Sequence, residues 1–368
     1  MIATDLQQGD NEAGSAEAPG DAETSSSVDA NMPKMDHPQM GWKSIQGFGN
    51  PLAVARVLVN NFTYLGAKRG PPASFKTEHY ELCSIPQSPF NEKVRWVLDM
   101  LEADQTSPIY YTEDSHPPAL HAFRVVPITD AASSRTPVLI APDGSHQSQS
   151  SSIIQKLYPS LYPEEIAEEI KAFEIEVGNR IGSTMRSIIY YYLLCNEKKY
   201  YKTMVELSSN GTSAIEGLLF DKMLDKGIDK ALIETLTVSE EATEKSIKEI
   251  NDMLSEISER LERNGGEYIF DSPDKKYGFT AADLAFAAVA NPMIRAPQMI
   301  DFVGQEEQYP TAFVHLCHQW QHTKAGQHCL AMYNKHRPVQ EDGKVHVKTV
   351  NRDTNPVREV WVYMVGKR

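Results

Sequence analysis

The chain has 368 residues, 41% of them hydrophobic and 23% charged, which is enough for two domains with separate cores. A formal net charge of −14 excludes a general nucleic-acid binder, because neutralising phosphates needs a surplus of Lys and Arg. Cys83, Cys195, Cys317 and Cys329 form no CxxC pair and are too few for a disulfide framework, so a reducing, cytoplasmic setting is expected.

The chain opens with Asp5, Asp10, Glu12, Glu17, Asp21, Glu23 and Asp29 and carries no Lys or Arg before Lys34. Rich also in Ala, Gly and Ser, residues 1–43 read as a disordered acidic tail, not as a secretory or import segment. Residues 44–75 predict an amphipathic helix and linker. Leu52, Val54, Val57, Leu58, Phe62 and Leu65 supply its apolar side, and Lys68, Arg69 and Gly70-Pro71-Pro72 close it. Such a helix packs on the protein body or on a second copy in a homodimer; weak membrane-surface contact through 49–69 is the alternative. No apolar run reaches the ~18 residues of a membrane-spanning helix.

Strand and helix signals alternate next. Tyr80, Leu82 and Ile85 mark a strand over 78–85, and Val94, Val97, Leu98 and Leu101 give 91–101 one apolar helical face. Ile109, Tyr110 and Tyr111 predict a second strand and Pro137 to Ile140 a third. Asp143-Gly144 signals a turn before a helix that starts at Ser150. This order implies a sheet with helices packed on it. From Pro163 onward helices dominate, over 164–179, 184–195, 240–263 and 280–290, with a long connection at 196–238 expected to hold one or two more. Val345, Val347 and Val350, then Val360, Val362 and Met364, alternate with polar residues and predict a β-ribbon in a C-terminal extension, 339–368.

The chemistry concentrates where the first strand hands over to its helix. Ser88 and Pro89 are a favoured N-cap and a favoured first helical residue, which capping alone would explain. The same geometry aims free N–H groups and the positive end of the helix dipole at one spot, where a thiolate is stabilised and a hydroxyl can donate to it. Arg135, Thr136 and Pro137 precede an apolar strand; a cis proline there would offer the Thr136 backbone to an extended peptide. Gln149 and Ser150 open another helix suited to a carboxylate. Elsewhere, Tyr190, Tyr191, Tyr192, Tyr200 and Tyr201 read equally as core or as pocket lining. His315, His318 and His322 share a helix face without the partners of a familiar metal site, so no metal is expected.

Taken together, the run from Tyr80 to Phe90 with Ser88-Pro89-Phe90, then Lys93-Val94-Arg95 and Leu98, resembles the opening of soluble glutathione transferases of the type with Ser or Cys before Pro-Phe. Thr136-Pro137-Val138-Leu139 resembles the family's cis-proline strand, and Gln149-Ser150 with Ile153 and Leu157 its Gln/Ser pair and helix. Thr280-Ala281-Ala282-Asp283-Leu284 resembles the capping box of its helical domain. The likeness covers about 76–335. It implies a thioredoxin-like domain over 76–162, an all-α domain over 163–338, and often a homodimer. It further implies that Ser88 meets the glutathione sulfur, that Thr136 and Pro137 pair with the tripeptide, that Gln149 and Ser150 hold its γ-glutamyl end, and that Arg135 can meet a carboxylate. The expected function is conjugation of glutathione, as co-substrate, to an apolar electrophilic small molecule, as in detoxification. A non-catalytic scaffold of the same fold is the alternative. Disulfide exchange is disfavoured because a Ser stands where exchanging members carry Cys, with only Cys83 nearby. The polar stretch 125–134 is longer than the family's short turn.

Overall fold

The computed structural model describes residues 79–349 except 105, 107, 130, 131, 236 and 266. The acidic tail, the 44–75 helix with its membrane-surface alternative, and the ribbon positions from Val350 onward lie outside the described residues.

Strand β1 (Tyr80–Ser84) leads into helix α1 (Pro89–Ala103), followed by β2 (Tyr111–Ser115), α2 (Ala122–Ile128), β3 (Val138–Ile140), β4 (His146–Ser148) and α3 (Ser150–Leu157). The sheet order is β2-β1-β3-β4, with β1 and β2 parallel and β3 antiparallel to both β1 and β4. Alternation along β1 sends Leu82 into the main core beneath α1 and Cys83 into a small cluster with Val125, Ile128, Val138 and Ile140 on the opposite face. The element order predicted a sheet with helices packed on it, and the arrangement is the thioredoxin-like unit that the family resemblance implied.

Beyond α3 the described residues up to His336 form helices: α4 (Ala167–Val177), α5 (Ser183–Leu194), α6 (Tyr201–Ser208), α7 (Ala214–Met223), α8 (Asp229–Thr235), α9 (Glu240–Arg263), α10 (Ala281–Ile294), α11 (Ile300–Val303), α12 (Thr311–Gln321) and α13 (Lys324–His336). Helix α10 is apolar on every side and buried almost throughout, so it acts as the axis on which α1, α4 and α13 pack. Its start is fixed by the Asp283 carboxylate, which accepts from the Thr280 N–H (3.0 Å), the Thr280 hydroxyl (2.9 Å) and the Ile269 N–H (2.9 Å). Among the described residues no helix is long and apolar enough to cross a membrane.

Three local expectations change. The second strand is Tyr111–Ser115, not 109–111. Its polar half is buried because Glu113 pairs with Arg95 and Asp114 with Arg124, partners that no local pattern reveals. The polar stretch from 125 begins inside α2, whose Val125 and Ile128 fill the small cluster under the sheet. Residues 196–238 hold three α-helices, not one or two.

Candidate functional site

The turn after β1 closes with the Ser88 N–H donating to the Ile85 carbonyl at 3.0 Å, and the Ser88 carbonyl accepts from the Asn91 and Glu92 N–H groups. Ser88 is therefore the N-cap of α1 in backbone geometry (φ −72°, ψ 124°), yet its side chain makes no capping hydrogen bond. The hydroxyl is half-buried beside the positive end of a 15-residue helix.

The β1–β3 register pairs Cys83 with Val138, which brings the segment before β3 alongside the exit of β1. The Thr136–Pro137 peptide is cis. Asn91, fully buried, joins the two segments: its Nδ2 donates to the Ile85 carbonyl (2.9 Å) and to Thr136 Oγ1 (3.2 Å). The sequence pattern gave no sign of Asn91, whose role depends on two groups outside its own helix. Arg135 is exposed, with its N–H donating to Ser133 Oγ.

Strand β4 runs antiparallel to β3 and so ends at the same edge where β1 ends and β3 begins. Gln149 follows it at φ 70°, ψ 118°, a left-handed conformation unusual for a residue with a side chain. It is exposed and makes no side-chain cap for α3, while Ser150 is buried. Strand order alone thus brings Ser88, Thr136 and Gln149-Ser150 to one end of the sheet.

The first turn of α3 is held from behind. Lys93 Nζ lies 2.6 Å from Glu174 Oε1 and 3.0 Å from Ser151 Oγ; Ser151 donates to Glu174 at 2.9 Å, and the Tyr162 hydroxyl donates to its other oxygen at 2.8 Å. This buried group ties α1, α3 and α4 together. Burial, with Glu174 adding to it, pushes the Tyr162 phenol far above its usual range.

The helical unit touches the Ser88 turn on both sides. Phe90 packs against Gly178 and Gly182, in a π-helical turn between α4 and α5; a methyl at Gly182 would stand 2.8 Å from the Phe90 ring. Gln87 Nε2 donates to Ser208 Oγ at the end of α6, 2.7 Å away. At the exit of β2, His116 Nδ1 lies 2.5 Å from Glu216 on α7 and its Nε2 3.2 Å from Asp114. Helices α6 and α7 of the 196–238 segment are therefore fastened to the exits of β1 and β2.

Other candidates fall elsewhere. Tyr192 packs on Phe313, and the Tyr201 hydroxyl donates to Asp229 at 2.8 Å, so both serve the helical core. Arg180 lies in an ion-pair network with Glu176, Glu249 and Glu256. His318 pairs with Glu306. Glu81, Cys83 and Asp114 come close enough to face a common ion, but Arg124 already bonds both carboxylates, at 2.6 and 2.8 Å. Cys83 is fully buried.

Sheet order and element order define the class: a thioredoxin-like unit followed by an all-helical unit. No family model matches the chain, and no curated protein matches it. Among solved structures the chain is similar to a glutathione transferase family member from Pseudomonas fluorescens with two glutathione bound, at 15% identity and TM-score 0.40, covering 74% of this chain and 99% of that one. It is similar also to Ure2p in complex with glutathione (16%, TM-score 0.38, 69% and 93% covered) and to the beta-etherase LigF from a Sphingobium strain (13%, TM-score 0.40, 68% and 98% covered). Likeness at these scores decides nothing by itself, and the fold class stands on the strand order and registers above.

Proposed function

We propose that the chain is a member of the glutathione transferase superfamily that binds glutathione at the Ser88 edge of the sheet and conjugates it to an electrophilic small molecule. The observation that carries this reading is the convergence of three positions on that edge: the Ser88 hydroxyl, which makes no cap for α1, Thr136 before the cis proline, and the start of α3 at Gln149 and Ser150, which no side chain caps. The α1 dipole and the Ser88 hydroxyl suit a thiolate, which is the nucleophilic form of glutathione. The Thr136 backbone before the cis proline suits the peptide, the Gln149-Ser150 helix start suits the γ-glutamyl carboxylate, and exposed Arg135 can meet a second carboxylate. In the reaction the thiol proton leaves to solvent, and the sulfur forms a bond to the electrophilic carbon as that carbon releases its leaving group. Disulfide exchange would need a thiol at the same spot, and the only nearby one, Cys83, is sealed inside β1.

Calorimetric titration with glutathione, together with a conjugation assay on a chlorodinitrobenzene, tests the reading. Binding by the native chain, with turnover that drops roughly ten- to hundredfold in Ser88→Ala, is expected for loss of a hydrogen bond to a charged sulfur. Binding without turnover would leave a glutathione-binding scaffold, and no binding at millimolar glutathione would remove both.

A further inference from the structure

The Ser88 chemistry leaves unused a dense buried charge cluster on the same helix. Glu92, in the first turn of α1, is 2% exposed; Asp99, two turns further on, is 8% exposed; Glu113 of β2 is fully buried beside Arg95. Within the sheet unit one guanidinium, Arg95, serves two of them, 2.8 Å from Glu92 and 2.5 Å from Glu113, and Asp99 draws no cation from that unit among the described residues, so these three carboxylates carry two negative charges in excess.

The neutralising charges arrive from the other end of the chain. Arg337, just after α13, places Nε 2.7 Å from Glu92 and Nη1 2.7 Å from Asp99. Lys348 lies 2.7 Å from Asp99, pairs with Glu102 and stands 4.5 Å from the Tyr111 ring centre. The Glu113 N–H donates to the Lys348 carbonyl at 2.6 Å, and Thr349 bridges Glu113 in parallel, so residues 337–349 form a strap that runs from α1 to the free edge of β2, which it meets at Lys348 and Thr349. The Tyr111 hydroxyl donates to Asp99, the Ser84 hydroxyl donates to Glu113, and Tyr333 of α13 lies close enough to feel the Glu92 charge. Burial would raise the Asp99 carboxyl, but Arg337 and Lys348 hold it below its ordinary range.

We propose that Arg337 and Lys348 are electrostatic positioning residues for the Ser88 site, offsetting the buried Glu92 and Asp99 charges of α1 so that its N-terminus can hold a thiolate. An uncancelled carboxylate in the first turn takes up the positive end of the helix dipole itself and repels a second anion placed there. The C-terminal strap thus completes the anion site from behind without touching the ligand. The inference rests on thiolate chemistry at Ser88, and not on which thiol is bound.

A thiol introduced by Ser88→Cys in the full chain reports the field directly, through the pH profile of its alkylation, with exposed Cys195 as reference. In the otherwise native chain it is expected to react at lower pH than an ordinary thiol of pKa ~8.5. Adding Lys348→Met or Arg337→Gln should lower the thiolate fraction at neutral pH by roughly three- to tenfold and leave Cys195 unmoved, whereas the charge-conserving Arg337→Lys and Lys348→Arg should keep the native profile. The Lys348 side chain is 20% exposed, so Lys348→Met keeps the test available if Arg337→Gln fails to fold. A profile unchanged by Lys348→Met, or one that moves together with that of Cys195, overturns the proposal. Failure of the native chain to bind glutathione, with the introduced thiol still responding to Lys348→Met, would overturn the assigned ligand and support the role of the strap.

Discussion

Two kinds of helix start coexist in this chain. At Ser213, Ser239 and Thr323 the hydroxyl accepts from a backbone N–H three residues on, at 3.2, 3.1 and 2.9 Å, which satisfies one of the helix's orphan donors. At Ser88 and at Gln149 no side chain caps the helix, although Ser is among the best capping residues. The first group lies in the helical unit and is committed to stability. Uncapped starts occur in the helical unit too, at Ile166 and Pro310, where the residue has no polar side chain to offer; Ser88 and Gln149 have one and lie at one edge of the sheet. A favourable capping residue that does not cap is a stronger pointer to a ligand than any single motif here, because capping alone would have explained its presence.

That contrast can be broken in several places. The largest effect is expected where the uncapped start of α3 is held from behind. Lys93→Met leaves Glu174 charged and buried, and should lower unfolding free energy by about 3–5 kcal/mol in denaturant titrations. A loss under 1 kcal/mol would mean that α3 is anchored elsewhere. Next comes the tie between α7 and the sheet. Burial alone would lower the His116 imidazole, but Asp114 and Glu216 outweigh it and raise it to about 9, above the ordinary 6.5. Its contribution is therefore fully present below pH ~6.5 and is lost as pH rises through about 9, roughly 3 kcal/mol in all. Thermal melts from neutral to alkaline pH should show this loss, and His116→Gln should flatten it.

Ser213→Ala should cost about 1 kcal/mol of stability. Ser88→Ala should change stability by less than about 0.5 kcal/mol while reducing conjugation, so paired melts and assays on the two variants sharpen the comparison directly. If Ser88→Ala proved as destabilising as Ser213→Ala, Ser88 would belong with the structural caps. The smallest effect is expected at Gln149, whose positive φ glycine tolerates without strain. Gln149→Gly should hold or raise the melting temperature slightly yet weaken glutathione binding in calorimetry. Unchanged affinity there would remove Gln149 from the ligand set.

Much of this was legible in the sequence because it was local. The periodicity of Val94, Val97, Leu98 and Leu101 set α1, the Thr280–Asp283 spacing set the start of α10, and Ser88-Pro89, Thr136-Pro137 and Gln149-Ser150 each marked an element boundary. What stayed hidden depended on partners far along the chain. Strand β2 looks too polar to be buried until Arg95, Arg124 and Lys348 are placed against it. Asn91 is an unremarked helix residue until the antiparallel register sets Thr136 beside Ile85. Sequence by itself thus determined which residues bring the side chains and capping preferences that the proposed site uses, since side-chain chemistry and capping preference are properties of short segments. Only the tertiary structure decided that they share one edge and that Glu92 and Asp99 of α1 pair with Arg337 and Lys348 of the C-terminal strap, because strand order and buried ion pairing join residues that no local pattern relates.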